Sequence, residues 1–167
     1  MIAMNDKFRI GYGYDVHAFC KDRKLILGGV EVPFEKGLSG HSDADVLLHA
    51  ITDALLGSLA LGDIGMHFPD TDPSYKNADS KILLNKSYNM ILEKGYELVN
   101  LDATVVTEQP KLRPFIDDIR GSIAKILKCS TDRISIKATT SEKMGFAGRE
   151  EGIIAQSVVL IKKLKNG

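Results

Sequence analysis

The chain lacks tryptophan, has only two cysteines, and contains no apolar run long enough to cross a membrane. Its most apolar stretch, residues 51–61, is interrupted by polar residues and is far shorter than the roughly 20 residues of a membrane-spanning helix. Cys20 and Cys129 are distant in sequence, so neither a disulfide framework nor a paired-cysteine zinc site is predicted. We therefore expect a cytoplasmic protein, and the first residues do not resemble a signal peptide.

The sequence also lacks net charge, since 22 Lys and Arg balance 22 Asp and Glu. This balance argues against a protein that binds nucleic acid or a membrane through a basic surface. A length of 167 residues and an apolar content of 44% predict one globular domain spanning residues 1–167.

The zero total hides a separation of charge along the chain. Residues 15–72 carry ten acids and four bases, whereas residues 73–167 carry 11 acids and 16 bases. No Lys or Arg lies between residues 37 and 75, and all four histidines lie in the acidic half. Acids and imidazoles that are concentrated without cations indicate a metal-binding region.

The hydrophobic pattern predicts strands and helices that alternate along the chain. Strands are predicted at residues 8–16, 96–108, 133–140 and 153–164, with a bent strand or a hairpin at 25–32. Helices are predicted at residues 45–60 and 81–94, and a third ends near residue 127. Loops are predicted at residues 35–43, 62–78 and 141–151. This order predicts an α/β or α+β domain with a small mixed sheet.

Several polar side chains of the acidic half have a spacing that suits zinc. Asp15 and His17 lie two residues apart on a predicted strand, so both side chains leave the same face. His49 shares one stripe of a predicted helix with Asp45 and Asp53, either of which could orient its ring by a hydrogen bond. Asp15, His17 and His49 would leave the fourth zinc position open. A capped helix start at Asp45 and a hydrogen-bonded core histidine explain the same residues.

Two loops flank this helix, at residues 40–43 and 62–73. Asp63, Asp70 and Asp72 of the second loop could accept hydrogen bonds from the hydroxyl groups of a sugar or polyol. Turn formation explains these aspartates equally well.

A third segment, residues 137–149, combines hydroxyl groups, two glycines and three cations with Glu142. Hydroxyl and backbone N–H donors together with Lys and Arg suit phosphate oxygens. Glu142 among them suits a Mg²⁺ ion that bridges phosphates. A glycine-rich turn with exposed charges explains the segment without any ligand.

Five blocks, in order along nearly the whole chain, resemble the 2-C-methyl-D-erythritol 2,4-cyclodiphosphate synthase family of the non-mevalonate isoprenoid pathway. The blocks are GYDVH at 13–17, HSDAD at 41–45, HAITDALLG at 49–57, GDIGMHFPDTDP at 62–73 and KATTSEKMGFAGR at 137–149. The resemblance implies a phosphorus–oxygen lyase acting on 4-diphosphocytidyl-2-C-methyl-D-erythritol 2-phosphate. The 2-phosphate attacks the β-phosphorus, CMP leaves, and a cyclic diphosphate forms. The resemblance also implies a small mixed sheet with helices on one face, in a homotrimer with active sites between subunits.

The resemblance implies specific roles for residues of these blocks. Asp15, His17 and His49 match the ligands of one Zn²⁺ per subunit, and Glu142 matches the ligand of a Mg²⁺ or Mn²⁺ on the substrate diphosphate. His41 and Thr140 match the catalytic positions that stabilise the transition state in that family.

Further substrate contacts are implied by the same resemblance. Those around the methylerythritol part are Ser42, Asp63, Ile64, Gly65, Phe68, Pro69, Asp70, Thr71 and Asp72. Asp15, His17 and His41 are implied to contact the substrate as well. Those that line the cytidine pocket are Thr107, Glu108, Gln109, Pro110, Lys111, Leu112, Arg113 and Thr139. Thr140, Ser141 and Glu142 are implied as further substrate contacts. Phe146 and Arg149 match positions near the central cavity of the trimer.

Two other functional classes remain open from the sequence. A different zinc phosphohydrolase on the same ligands would release inorganic phosphate or an open-chain product instead of CMP and a cyclic diphosphate. A non-catalytic, small-molecule-binding trimer with a structural zinc would need four protein ligands, whereas the sequence offers three.

Overall fold

The computed structural model describes residues 7–69, 71–72, 75 and 78–164. The strands are β1 (Phe8–Cys20), β2 (Leu25–Leu27), β3 (Val30–Val32), β4 (Gly37–Leu38), β5 (Tyr96–Val106), β6 (Ile134–Thr139) and β7 (Gly152–Lys163). The helices are α1 (Val46–Ser58), α2 (Ile64–His67), α3 (Ser80–Glu93), α4 (Ile116–Ile126) and α5 (Gly145–Gly148). Within the described ranges, none of these helices has the length and apolarity needed to span a membrane.

Five strands form one mixed sheet in the order β4-β1-β7-β5-β6, and β2 and β3 form a separate hairpin. Both β1 and β5 run antiparallel to β7, whereas β5 and β6 are parallel. The carboxyl ends of β1, β5 and β6 therefore lie along one edge of the sheet, together with the start of β7; we call this the carboxyl edge. The predicted small α/β domain with a mixed sheet is confirmed.

Helix α1 packs directly onto β1 because two glycines of the strand face it. A Cβ atom added to Gly11 would lie 1.7 Å from the carbonyl oxygen of Ala54. A Cβ atom added to Gly13 would lie 1.9 Å from the carbonyl oxygen of Ala50. Only residues without a side chain permit this contact, which places the middle of α1 beside the end of β1.

The helices cover one face of the sheet, and part of the other face is apolar and open. Along the middle of β1, residues at odd positions face α1, while those at even positions point away from it. The outward side chains Phe8, Ile10, Tyr12, Tyr14 and Val16 are 41–70% exposed. Soluble monomers rarely expose so continuous an apolar patch. We refer to these five residues as the β1 stripe.

The long elements agree with the sequence prediction, and the differences concern short ones. Residues 25–32 form the hairpin, not the bent strand. β1 continues to Cys20 because Phe19 pairs with Leu38 and Cys20 with Gly37. The predicted loops contain β4, α2 and α5, each of which has only two to four residues and thus too little periodicity to be predicted.

Candidate active site

Asp15, His17 and His49 are the one group of three or more His, Cys, Asp or Glu side chains, among the residues that the structure describes, that could hold a metal ion. Asp15 Oδ2 lies 3.0 Å from His17 Nε2 and 3.1 Å from His49 Nδ1, and the two nitrogens are 3.1 Å apart. Ligand atoms around a tetrahedral Zn²⁺ lie about 3.3 Å apart. The triangle of these three atoms, which we call the metal triangle, therefore fits zinc.

Hydrogen bonds on the far side of each ring determine which nitrogen faces the metal triangle. His17 Nδ1 donates to the carbonyl oxygen of Ser39 at 2.7 Å. His49 Nε2 lies 2.9 Å from Ser80 Oγ, whose only proton is donated to Asp43 Oδ1, so the imidazole is the donor in this contact. Both rings therefore turn their other nitrogen inward, toward the same carboxylate oxygen.

Three acceptor atoms this close repel one another unless a cation or a proton lies among them. Burial raises the pKa of Asp15, but hydrogen bonds and charge from His17 and His49 outweigh it and hold the pKa well below its ordinary value. Burial lowers the pKa of His17, but the Asp15 carboxylate outweighs it and raises the pKa above 6.5. In the metal-free protein, a proton on His17 Nε2 can thus form hydrogen bonds to Asp15 Oδ2 and His49 Nδ1. A divalent cation can replace this proton.

The expectation that Asp45 orients His49 is wrong. Asp45 is fully buried, and its carboxylate accepts hydrogen bonds from the N–H groups of Gly28, Gly29 and Leu48 at 2.9, 2.6 and 3.0 Å. Burial raises its pKa to about 6 against the opposing effect of these donors. Asp45 caps α1 and holds the turn of the β2–β3 hairpin to it, which is the structural interpretation left open above.

Asp53 does not orient His49 either, because its carboxylate accepts from the N–H of Ile64 at 2.7 Å and joins α1 to α2. The ring of His49 is oriented by the hydroxyl of Ser80 at 2.9 Å and that of Ser42 at 3.2 Å. Ser80 is fully buried at the start of α3. The sequence identifies Ser80 only as the start of a helix. Its contact with His49 could not be predicted, because it arises from the packing of α3 against α1.

The loop at residues 39–42 is fixed by Arg23, which the sequence reasoning missed. The guanidinium group donates to the carbonyl oxygen of Gly40 at 2.7 Å and to that of Ser42 at 2.5 Å. The intervening His41 is exposed. Its imidazole therefore projects from a backbone that is held on both sides.

A cavity of about 240 Å³ opens over the metal triangle; we call it the metal cavity. Its lining contains eight of the candidate site residues, Asp15, His17, His41, Ser42, His49, Ile64, Gly65 and Phe68, and also Gly40, Tyr75 and Leu83. Asp63 instead caps α2, accepting from the N–H of Met66 at 2.9 Å. Pro69, Thr71 and Asp72 do not line the cavity, and Asp70 lies outside the described residues.

A second cavity, of about 310 Å³, lies at the carboxyl ends of β5 and β6; we call it the basic cavity. Its lining consists of Thr107, Pro110, Lys111, Leu112, Arg113, Ala138, Thr139 and Thr140, of which all but Ala138 were predicted. The two cavities share no lining residue. Strands β7 and β5 lie between β1 and β6, which corresponds to about 14 Å along the carboxyl edge.

Two cations of the segment that was predicted to suit phosphate are already paired. Lys137 Nζ lies 2.5 Å from Asp102 Oδ2, and Arg149 contacts both carboxylate oxygens of Glu151, at 2.7 and 3.2 Å. Lys111 and Arg113 are the cations that line the cavity. The remaining predicted contacts, Glu108, Gln109, Ser141, Glu142, Phe146 and Arg149, line neither cavity.

Comparisons with known proteins agree on one family. A model described as the YgbB family matches residues 8–162. The chain is 58% identical over 156 residues to a 2-C-methyl-D-erythritol 2,4-cyclodiphosphate synthase from Bacillus cytotoxicus, and the match covers 93% of this chain and 99% of that one. A protein from Bacillus cereus with the same name is 59% identical, with the same coverage.

Solved structures also match nearly the whole chain. IspF from Plasmodium falciparum in complex with CDP has a TM-score of 0.84 and 31% identity, covering 96% of this chain and 99% of that one. The bifunctional IspDF from Campylobacter jejuni has a TM-score of 0.92 and 45% identity over 95% of this chain, which spans only 43% of that longer protein. The resemblance noted in the sequence and the expectation of an enzyme are confirmed. The chain belongs to the YgbB family, together with the proteins named 2-C-methyl-D-erythritol 2,4-cyclodiphosphate synthase.

Proposed function

We propose that this protein converts 4-diphosphocytidyl-2-C-methyl-D-erythritol 2-phosphate to 2-C-methyl-D-erythritol 2,4-cyclodiphosphate and CMP, a step of isoprenoid precursor biosynthesis. An oxygen of the 2-phosphate attacks the β-phosphorus, and the bond from that phosphorus to the oxygen bridging the α-phosphorus breaks. CMP leaves with the bridging oxygen, and no water is consumed. The observation that carries the proposal is the metal triangle beneath an open cavity, in a chain 58% identical to a synthase named for this product.

The charge of the site explains the need for cations. Both reacting phosphates are anionic, while the metal cavity belongs to the part of the sequence in which residues 37–75 contain no Lys or Arg. Zn²⁺ on Asp15, His17 and His49, and Mg²⁺ or Mn²⁺ on Glu142, would supply the positive charge that offsets these phosphates. A single carboxylate such as Glu142 suits the second ion, because Mg²⁺ takes its other ligands from phosphates and water.

The chain's own residues bind and position the substrate. His41, on the loop that Arg23 holds, lines the metal cavity and would donate a hydrogen bond to a phosphate oxygen there. Thr140 lines the basic cavity, and its hydroxyl donates to Glu142 Oε1 at 2.9 Å. Because the reaction is intramolecular, such positioning contributes much of the rate.

The substrate contacts divide between the two cavities. Ser42, Ile64, Gly65 and Phe68 are the proposed neighbours of the methylerythritol part, and Thr107, Pro110, Lys111, Leu112, Arg113 and Thr139 those of the cytidine diphosphate part. Support for the nucleotide assignment comes from the relatives whose structures contain CDP. Contacts from Asp63, Pro69, Asp70, Thr71, Asp72, Gln109, Ser141, Phe146 and Arg149 stay predictions.

We also infer that the active site forms between subunits of a homotrimer. The metal cavity and the basic cavity share no residue within one chain, although one substrate must occupy both. The exposed β1 stripe supports an interface on the open face of the sheet. A neighbouring copy that covers this face can bring its basic cavity to the metal cavity of the first chain.

Subunit mixing tests this arrangement. His49→Ala removes a metal ligand, and Thr140→Val removes a hydroxyl group of the basic cavity. If each site combines two chains, co-expression of the two inactive variants in equal amounts should restore about a quarter of wild-type activity, because one site in four combines both intact halves. Sites contained in one chain would regain none.

Product analysis tests the reaction itself. Metal-replete protein, incubated with the cytidyl substrate and Mg²⁺, should yield CMP and the cyclic diphosphate in equal amounts by phosphorus NMR. Inorganic phosphate or an open-chain product would instead support a zinc phosphohydrolase. A structural zinc is the weaker alternative, because the metal triangle has three protein ligands among the described residues and a structural site needs four.

A further inference from the structure

Glu108 is expected to contact the nucleotide, but its carboxylate is used elsewhere. Glu108 Oε1 accepts from the N–H of Ser141 at 3.0 Å and from the N–H of Lys143 at 3.1 Å. These donors follow β6, whereas Glu108 follows β5, the parallel neighbour of β6. One side chain thus ties together two loops that leave the carboxyl edge side by side.

The loop that Glu108 holds has an unfavourable backbone conformation. Glu142 and Lys143 have φ angles of 53° and 62°, in the left-handed region that residues with a side chain seldom adopt. Two such residues in succession need support from their surroundings. The two N–H groups that donate to Glu108 lie on Ser141 and Lys143, one on each side of Glu142, so the carboxylate provides support where the strain occurs.

The charge of Glu108 suits this role. The N–H groups of Lys143 and Ser141 hold the pKa of Glu108 below its ordinary value, so the ionised carboxylate is the form that they stabilise. A carboxylate in direct contact with an anionic diphosphate would be repulsive, whereas one that accepts backbone N–H groups is favourable. The hydrogen bonds therefore favour a role in the protein over contact with the nucleotide.

The loop conformation determines where Glu142 points. Glu142 is exposed, and its Oε1 accepts from the hydroxyl of Thr140, which lines the basic cavity. A different backbone at residues 141–143 would turn the Glu142 carboxylate away from Thr140 and from that cavity.

We propose that Glu108 is a positioning residue, whose carboxylate holds residues 140–143 in the conformation that directs Glu142 toward a divalent cation on the substrate diphosphate. The identity of that cation site rests on the proposed function, but the tie between Glu108 and the loop does not.

Three variants separate this role from a general effect on folding. Glu108→Ala removes the acceptor, and Glu108→Gln keeps one acceptor oxygen at the same position without the charge. Glu97→Ala is the matched control, because Glu97 lies near the start of β5, the strand that precedes Glu108, and pairs with Lys162 at 3.2 Å, far from the loop. Elemental analysis should find the same zinc content in all three.

The first measurement is hydrogen exchange at the amides of Ser141 and Lys143 in the ligand-free protein. Glu108→Ala should increase both exchange rates about tenfold, Glu108→Gln should have an intermediate effect, and Glu97→Ala should behave like the wild type. Wild-type exchange in Glu108→Ala would overturn the proposed tie.

The second measurement is the affinity for Mn²⁺ in the presence of CDP, followed by water-proton relaxation. The apparent dissociation constant should rise about tenfold in Glu108→Ala, rise less in Glu108→Gln and stay unchanged in Glu97→Ala. Faster amide exchange with unchanged Mn²⁺ affinity would overturn the link to Glu142. Failure of the proposed function would appear differently, as a wild-type protein that releases no CMP from the cytidyl substrate.

Discussion

Below the pKa of His17, zinc binding to this protein should release about one proton, because the metal-free site then holds a proton where the ion would bind. With His17 Nδ1–H on the Ser39 carbonyl oxygen, the second proton of the ring lies on Nε2, between Asp15 Oδ2 at 3.0 Å and His49 Nδ1 at 3.1 Å. Asp15 is ionised and has no proton to lose, and the His49 proton stays on Nε2, facing Ser80. His17 is thus the one ligand that must lose a proton.

The direction of the pH effect follows from the raised pKa of His17, which lies above 6.5. Below this pKa, zinc must displace the proton. Each unit by which the pH falls therefore lowers the apparent zinc affinity about tenfold, or by about 1.4 kcal/mol. Above it the proton is already lost, and the affinity becomes independent of this group. We expect about a tenfold decrease in affinity for each unit by which the pH falls below the raised pKa of His17.

Chelator competition across this pH range measures the slope, and calorimetry in two buffers with different protonation enthalpies counts the released protons. His67→Gln is the control, because His67 Nε2 contacts the carbonyl oxygen of Leu61 at 2.8 Å and takes no part in the metal triangle. The control should have the wild-type slope. At a pH below the pKa of His17, release of no proton, or of two, would refute the hydrogen-bond assignment of the two rings.

Three substitutions test the packing and the contacts of the site. Gly13→Ala places a Cβ atom 1.9 Å from a carbonyl oxygen of α1. Urea denaturation should therefore show a loss of about 3 kcal/mol in the free energy of unfolding, and wild-type stability would contradict this packing. His49→Ala should lose its bound zinc by elemental analysis, and an unchanged zinc content would exclude this ligand. Arg23→Ala should release the His41 loop and lower kcat about tenfold, while the bound zinc is retained. Arg23→Lys should not restore kcat, because a single ammonium group cannot replace the two nitrogens with which the guanidinium group donates. A wild-type kcat in Arg23→Ala would show that the loop needs no clamp.

The three residues of the metal triangle could be predicted because each one follows from the periodicity of a single element. Asp15 and His17 share a face of β1, and His49 lies one turn into α1. The partners of His49 could not be predicted in this way. Ser80 reaches its ring across 31 residues through the packing of α3 on α1, whereas Asp45, the closer residue in sequence, is used to cap α1.

The same limit applies at the basic cavity. The sequence shows that Lys137 is a cation, but not that the register of β5 and β6 places it beside Asp102. Likewise, the resemblance placed Glu108 among the nucleotide contacts, whereas its side chain is used to hold the neighbouring loop. Partners across strands depend on register and loop geometry, which hydrophobic periodicity does not specify.

The central claim is that the 2-phosphate, and not water, attacks the β-phosphorus. The most direct test is to run the reaction in oxygen-18-labelled water and to examine both products by phosphorus NMR and mass spectrometry. Intramolecular attack predicts CMP and a cyclic diphosphate in equal amounts, neither of which contains solvent oxygen. One labelled oxygen in CMP or in the methylerythritol product would mean that water is the nucleophile, and the protein would then be a phosphohydrolase.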